Sequence, residues 1–329
     1  MNKIINDFKI TDSEILNAQS SFYKDVINFS NYNKKIPKKD LTIRKLLAKK
    51  EHNYDINEIL ISSSVKQALS SSLLGMLNSG DEVIVVEPFS VEYINLIKLL
   101  GFKVITTNPK KINFTDKTKA IIVFNPNQFT SKLYQNYSKF IDESCYLISI
   151  ELSDLFNYST KKTLSKLISK NRNFITIKSL NEQYKNSNIE VSYVLSTSRN
   201  ISLISNTNKV LGSTPSLSVY KRLRLLIGRN LYRKYFSYYE ILDLIKYHFD
   251  NLGIEYIEPD CGFTIAFKLD AKDKNITMRL LNEYKMIIIS GKDYNVEGYF
   301  AISAVNSRKN VSQGLKQLKL YHEETNQKK

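Results

Sequence analysis

The sequence predicts an α/β protein: a large domain on a doubly wound, mostly parallel sheet of seven strands, joined to a smaller α+β lobe. Three observations carry this. Between residues 59 and 196 short apolar runs alternate with helix-length segments. Most of those runs are apolar throughout instead of alternating, as strands covered on both faces must be. The order strand, helix, strand then calls for right-handed crossovers between parallel neighbours. A chain of 329 residues, 42% of them hydrophobic, is long enough for one large core and a second, smaller one.

The predicted strands of the large sheet are 59–61, 83–86, 104–106, 120–124, 146–150, 174–177 and 191–195. Between them, 65–77 and 91–100 repeat their apolar residues at helical spacing. A loop at Gly212-Ser213-Thr214-Pro215 ends this region, and a long helical stretch follows to about residue 251. Strands at 254–257, 263–267, 286–289 and 299–303, with helices near 277–284 and 311–321, then form a small sheet covered by helices. A helix near 13–29 cannot build a core alone and is expected to pack on the second lobe. The domains are therefore expected at 38–215 for the large one, with 1–37 and 216–329 forming the small one. No low-complexity linker separates them, so they should dock closely.

Composition narrows the function classes. No run of about 18 apolar residues occurs, and Met1-Asn2-Lys3 leads into a polar segment, so no membrane span or secretory signal is expected and the location expected is cytoplasmic. Cys145 and Cys261 are expected to be buried thiols of a reducing compartment. The net charge of +16 is spread along the chain. Its densest run, Lys221, Arg222, Arg224, Arg229, Arg233 and Lys234, is interleaved with leucines at helical spacing, the pattern of a solvated helix face. Nucleic acid is accordingly not the expected partner, and no metal site is expected.

Several stretches, read in order, resemble the fold-type-I aminotransferases that use pyridoxal phosphate (PLP), in the class I/II branch with histidinol-phosphate aminotransferase and threonine-phosphate decarboxylase. "ISSSVKQAL" and "LNSGDEVIVVEPFSVEY", with "GFKVITTNP" after them, are similar to the family's first helix, its G-D-E-V turn and the next strand. "KTKAIIVFNPNQFT" resembles K-A-I-x-x-x-N-P-N-N-P-T-G. "FITIKSLNEQYKNSNIEVSYVLS" resembles the strand, lysine loop and following strand, and "EGYFAISAVNSRKNVSQGLKQL" the last strand and helix. The resemblance covers nearly the whole chain and implies the PLP-transferase fold.

What the resemblance implies for the site is a series of replacements. The Schiff-base lysine position, counted back from Val191-Ser192-Tyr193, holds Glu182. The acid that partners the pyridine nitrogen is Ile150, the tyrosine three residues on is Ser153, and the asparagine facing O3′ is Gln128. Ser90 stands at the stacking aromatic, with Phe89 beside it. In the phosphate cradle Val65 and Lys66 replace small and hydroxyl residues, Asn181 a serine, and Glu190 an arginine. Ala301 stands where an arginine clamps the substrate α-carboxylate.

These replacements imply a degenerate homologue, a pseudoenzyme that binds a ligand or a partner subunit and needs no cofactor. The resemblance also implies a dimer, of the chain with itself or with an active relative. Other readings stay open: a PLP enzyme using a displaced lysine, Lys178 or Lys185; a PLP-independent enzyme using Glu182, Glu151 and Tyr193 as acid and base; and a binder of anionic partners through the basic helix.

Overall fold

A computed structural model of the protein describes residues 38–51, 53–168, 171–180, 190–227, 232–269 and 276–327. The expected helix near 13–29, and Asn181, Glu182, Lys185 and Arg229, lie outside the described residues.

The large sheet has seven strands: β1 (Ile59–Ser62), β2 (Glu82–Val86), β3 (Lys103–Thr107), β4 (Thr118–Phe124), β5 (Tyr146–Glu151), β6 (Phe174–Ser179) and β7 (Ser192–Leu195). Their order across the sheet is β1-β7-β6-β5-β4-β2-β3. Strands β3, β2, β4, β5 and β6 run parallel, while β7 is antiparallel to both β6 and β1. The central strands are covered on both sides, which is why their apolar runs do not alternate.

One face carries α2 (Val65–Met76), α3 (Val91–Leu99) and α5 (Ser198–Val210) over Val83, Val85, Ile122, Ile148, Ile150, Ile175 and Ile177. Ser64 starts α2 by accepting a hydrogen bond from the Gln67 amide. Gly75 lets α2 and α5 approach, since a Cβ there would sit 3.0 Å from Thr207 Oγ1 and 3.3 Å from Ile204 Cα. On the opposite face α1 (Lys38–Glu51) and α6 (Leu217–Ile227) close over Ile59, Ile61, Tyr193 and Leu195 through Ile43, Leu47, Tyr220 and Leu223. Here the expected division of the chain changes: α6 lies beyond residue 215, yet its buried side chains serve the large core. The long helical stretch is two helices, and only the second, α7 (Tyr232–Leu252), packs in the small lobe. A short helix, α4 (Leu164–Leu167), precedes β6.

The small sheet, ordered β10-β11-β9-β8, is antiparallel throughout: β8 (Tyr256–Ile257), β9 (Thr264–Lys268), β10 (Ile289–Ser290) and β11 (Tyr299–Ser303). Its strands alternate with period two. Ile265, Phe267, Phe300 and Ile302 face α7, α8 (Ile276–Tyr284) and α9 (Arg308–Gln327), while Ala266 and Ala301 turn the other way, toward Phe129 of the large domain. No described helix is long and apolar enough to cross a membrane. Cys145 and Cys261 are both buried and free.

Candidate functional site

The carboxyl ends of β4 and β5 and the inner side of the small sheet meet at a junction where open α/β sheets place ligands. Its first wall is the turn after β4. Asn127 Oδ1 accepts from the amides of Phe129 and Thr130, both at 3.0 Å, and its Nδ2 donates to the Pro88 carbonyl at 2.7 Å, an Asx turn tied to the neighbouring loop. Ser131 closes the turn at φ 55° and its hydroxyl meets that of Thr264 on β9 at 2.7 Å. Gln128 and Ser153, two of the sequence-derived site residues, are thereby brought to one cavity of about 160 Å³, shared with Ser131, Thr264, Tyr294 and Ser303. Gln128 Oε1 is itself buried, without a hydrogen-bond partner. Gly262, at φ +91°, lies against it: a Cβ would stand 3.4 Å from Ser131 Oγ and 3.6 Å from Ser153 Cβ.

Ile150 and Phe89 are brought together elsewhere, in the apolar cluster under α2 and α3, where Ile150 is 0% exposed. A branched hydrocarbon there offers nothing to a ring nitrogen. Val65 packs at the edge of the same cluster, and Lys66 is exposed and paired with Glu92. Ser90 precedes α3 without a side-chain capping bond. The α2 terminus faces β7, because Ser192 Oγ donates to the Ser64 carbonyl at 2.7 Å. Glu190 is exposed two residues before Ser192.

Lys178 lies on the other face of the sheet. Its neighbours in register are Glu151 and Tyr193. Its Nζ is 2.8 Å from Asp154 Oδ2, 3.0 Å from Glu51 Oε2 and 3.5 Å from Glu151 Oε2, and the side chain is fully buried. Burial alone would lower its pKa, but Asp154, Tyr193, Glu151 and Glu51 outweigh it and hold the amine well above its ordinary value. Burial raises the Glu151 carboxyl despite Lys178, whereas for Asp154 the burial cost is outweighed by Lys178 and Lys50 and the pKa is lowered. Glu151 also accepts from the Ser165 amide at 2.8 Å and hydroxyl at 2.6 Å. Tyr193 donates to Glu51 Oε1 at 2.6 Å, and burial raises its pKa well above the usual phenol. An ammonium held by three carboxylates is no nucleophile. Glu151 and Tyr193 are likewise committed to partners inside the protein, so neither the displaced lysine at Lys178 nor the acid–base role of this pair is what the geometry supports.

Ala301 is 0% exposed and faces Ala266 in the β9–β11 register. Phe129 fills the space over both alanines and packs on Tyr294 with ring centroids 5.0 Å apart. The position that the resemblance gives to a carboxylate clamp is thus an apolar contact between the lobes. Sequence reasoning missed Phe129, Gly262, Glu51 and Asp154. Only Phe129 left a signal, a large aromatic one residue after Gln128. Among the described residues no group of three or more His, Cys, Asp or Glu side chains is arranged to hold a metal ion. Of the basic run, Lys221, Arg222 and Arg224 are exposed on α6, and so is Leu225.

No protein-family model matches the chain. It is 25% identical over 285 residues to aspartate aminotransferase of Thermotoga maritima, covering 79% of this chain and 74% of that protein. It is 24% identical over 321 residues to a probable aspartate/prephenate aminotransferase of Aquifex aeolicus, covering 85% and 79%. The crystal structure of the Thermotoga maritima aspartate aminotransferase superposes with a TM-score of 0.79 at 20% identity, covering 91% of this chain and 87% of that one. The Thermus thermophilus aspartate aminotransferase with maleate gives 0.77 at 19% identity, covering 89% and 85%.

These relatives correct the expectation that the protein needs no cofactor. They are aminotransferases, and the chemistry of that family points to PLP. Among the described residues the fit to that group is uneven. The first-turn amides of α2 suit a phosphate, but Ile150 does not fit a pyridine nitrogen that needs an acid, and Lys178 is already held by carboxylates. In its sequence relatives and in its fold the chain is similar to fold-type-I PLP aminotransferases, with aspartate and aspartate/prephenate aminotransferases among the relatives.

Proposed function

We propose that this aminotransferase-like protein works by binding a small molecule between its lobes and does not transaminate amino acids. The observation that carries the reading is Phe129 on Ala266 and Ala301: the position at which the family resemblance puts a guanidinium is a buried methyl group under a phenyl ring. An amino acid brought there would lose the water around its carboxylate and gain no cation in return. Ile150 adds to this, since the carbanion chemistry of the family depends on an acid at the ring nitrogen. PLP is the cofactor to which the relatives point; what the proposal removes is the amino-acid half of the reaction. The dimer that the resemblance implies belongs to the same proposal, supported by Leu217 and Leu225 standing exposed on α6, and light scattering of the purified protein measures it.

The test is a single-turnover half-reaction. Purified protein is supplied with PLP and then with aspartate, phenylalanine and other amino acids in turn, and the pyridoxamine form is followed by absorbance and mass spectrometry. No conversion is expected. Stoichiometric conversion with any of them would overturn the proposal.

A further inference from the structure

We propose that the outer surface of α1 and α6 docks an acidic protein chain different from this one, with carboxylates facing its lysines and arginines and apolar side chains facing its exposed leucines. This rests on the reading that the chain pairs with another subunit, and it names the chemistry of that subunit.

The arrangement on α6 is the first argument. Tyr220 and Leu223 turn inward to α1 and the sheet edge. At about 100° per residue, the outer half of the helix presents Arg224, Leu217, Lys221, Leu225 and Arg222 in that order around its circumference, and all of them are exposed. Each leucine thus stands between two cations. Leu217 is 58% exposed and Leu225 67%, too open to belong to the core behind them. Helix α1 continues the surface. It packs beside α6, joined to it by the Tyr220 hydroxyl donating to Asp40 Oδ1 at 3.1 Å, and its Lys45 and Lys49 are exposed one turn apart. These two lysines border a shallow concavity of about 640 Å³ that has Leu46, Ala48 and Ile56 among its walls.

Charge is the second. Among the described residues no carboxylate pairs with Lys45, Lys49, Lys221, Arg222 or Arg224. The sequence of α6 holds no acid, and the two acids of α1 are used inside the protein, Asp40 by Arg44 at 2.7 Å and Glu51 by Lys178 at 3.0 Å. Asp55 is exposed at the rim of the concavity and leaves the balance positive. A second copy is therefore a poor occupant. A two-fold contact sets a patch against itself, so the cations of one copy would meet those of the other.

The mixture of groups selects among anionic partners. A phosphate backbone satisfies the cations and leaves the leucines without apolar neighbours. A lipid surface is flat on this scale and does not fill a concavity. A protein brings both acids and protruding apolar side chains, and arginine is enriched where proteins meet.

The experiment titrates the full chain by calorimetry with a synthetic helical peptide of glutamates carrying leucines at i, i+4 and i+7. A peptide with serines in place of those leucines, a DNA duplex and phosphatidylserine vesicles are the comparators. Lys221→Glu, Arg222→Glu and Arg224→Glu together are expected to weaken the leucine peptide at least about tenfold, and Leu225→Ser at least about threefold. The same charge change on α9, made at the exposed Arg308, Lys309 and Lys316, should leave its affinity within about twofold. Unchanged Tm shows that each variant is folded. Equal losses from the two charge reversals would show that binding follows net charge and would overturn the inference. So would tighter binding of the serine peptide, the DNA or the vesicles, or no saturable binding of the leucine peptide. Light scattering keeps the pairing itself apart from its chemistry. A self-dimer dispersed by Leu225→Ser would put a second copy on this face, overturning the inference while upholding the pairing. A chain that is monomeric alone, or whose self-dimer ignores that substitution, leaves the face open as the inference requires.

Discussion

The ammonium of Lys178 sits 2.8 Å from Asp154 Oδ2, three residues past the end of β5, and this contact joins the middle of the large sheet to the loop that follows β5. It is the shortest of the lysine's three carboxylate contacts. Buried pairs of this kind are net favourable only while complete, because the desolvation of each ion is offset by the other.

Removing the lysine should therefore be severe. Lys178→Met leaves Glu51, Glu151 and Asp154 together without their central cation, and a loss of about 3–5 kcal/mol is expected in urea unfolding. A loss below about 1 kcal/mol would mean that the cluster is solvated. Borohydride reduction with PLP present should leave no adduct on Lys178.

The pH dependence has a definite sign at each member. Asp154 has a lowered pKa, so its contribution is complete above its ordinary value of 3.8 and is lost as the pH falls through the folded value. Lys178 has a raised pKa, so its contribution is complete below 10.5 and is lost as the pH rises through the folded value. Glu151 is also raised, but it is an acid: folding favours its proton, and its charge becomes a cost as the pH climbs above 4.5. The stability of Glu151→Gln relative to the parent should thus improve from acid toward neutral pH in paired denaturation curves. An unchanged difference across that range would refute the assignment.

Phe129 and Ala301 should be coupled. Phe129→Ala is expected to cost about 3–5 kcal/mol as a large-to-small change in a buried contact. Ala301→Arg should also destabilise, by forcing a guanidinium under the ring. Combined, the two should cost less than their sum by about 1–3 kcal/mol, since the shortened residue makes room for the longer one. Additive losses would show that the two side chains do not compete for the same space.

Glu182→Lys alone should not restore transamination. The new amine would still meet Ile150 at the ring-nitrogen position and Ala301 at the carboxylate position, and such parts act as a unit. The half-reaction assay with this variant checks it, and clear turnover would show the lysine to be the one essential loss.

Most of the large sheet was legible because buried parallel strands are apolar on both faces, as "AIIVF" at 120–124 shows. Two things were not. Helix α6 reads as the start of a lobe because a helix pattern does not say which surface its apolar stripe meets, and here Tyr220 and Leu223 meet α1 and the β1 edge. The Lys178 cluster was half visible: Glu151 and Lys178 stand in their strands, but Glu51 is 127 residues from its partner, and only the fold brings a helix end to the middle of the sheet. The cavity residues Gln128 and Ser153 came from the family resemblance. Gly262 and the alanine pair did not, because small residues mark free space only once their neighbours are known.

The stretch that leads into β9 has a mechanical consequence. Asn157 and Cys261 form a β-bridge, the tilted rings of Phe156 and Phe263 pack with centroids 4.4 Å apart, the Tyr158 hydroxyl donates to the Gly262 carbonyl at 2.9 Å, and Asp260 holds Lys161. These links lace the lobes along one seam, and Phe129 pins them a few residues away. A hinge-like swing of one lobe over the other would have to undo the seam link by link. The seam therefore resists a hinge-like opening of the cleft.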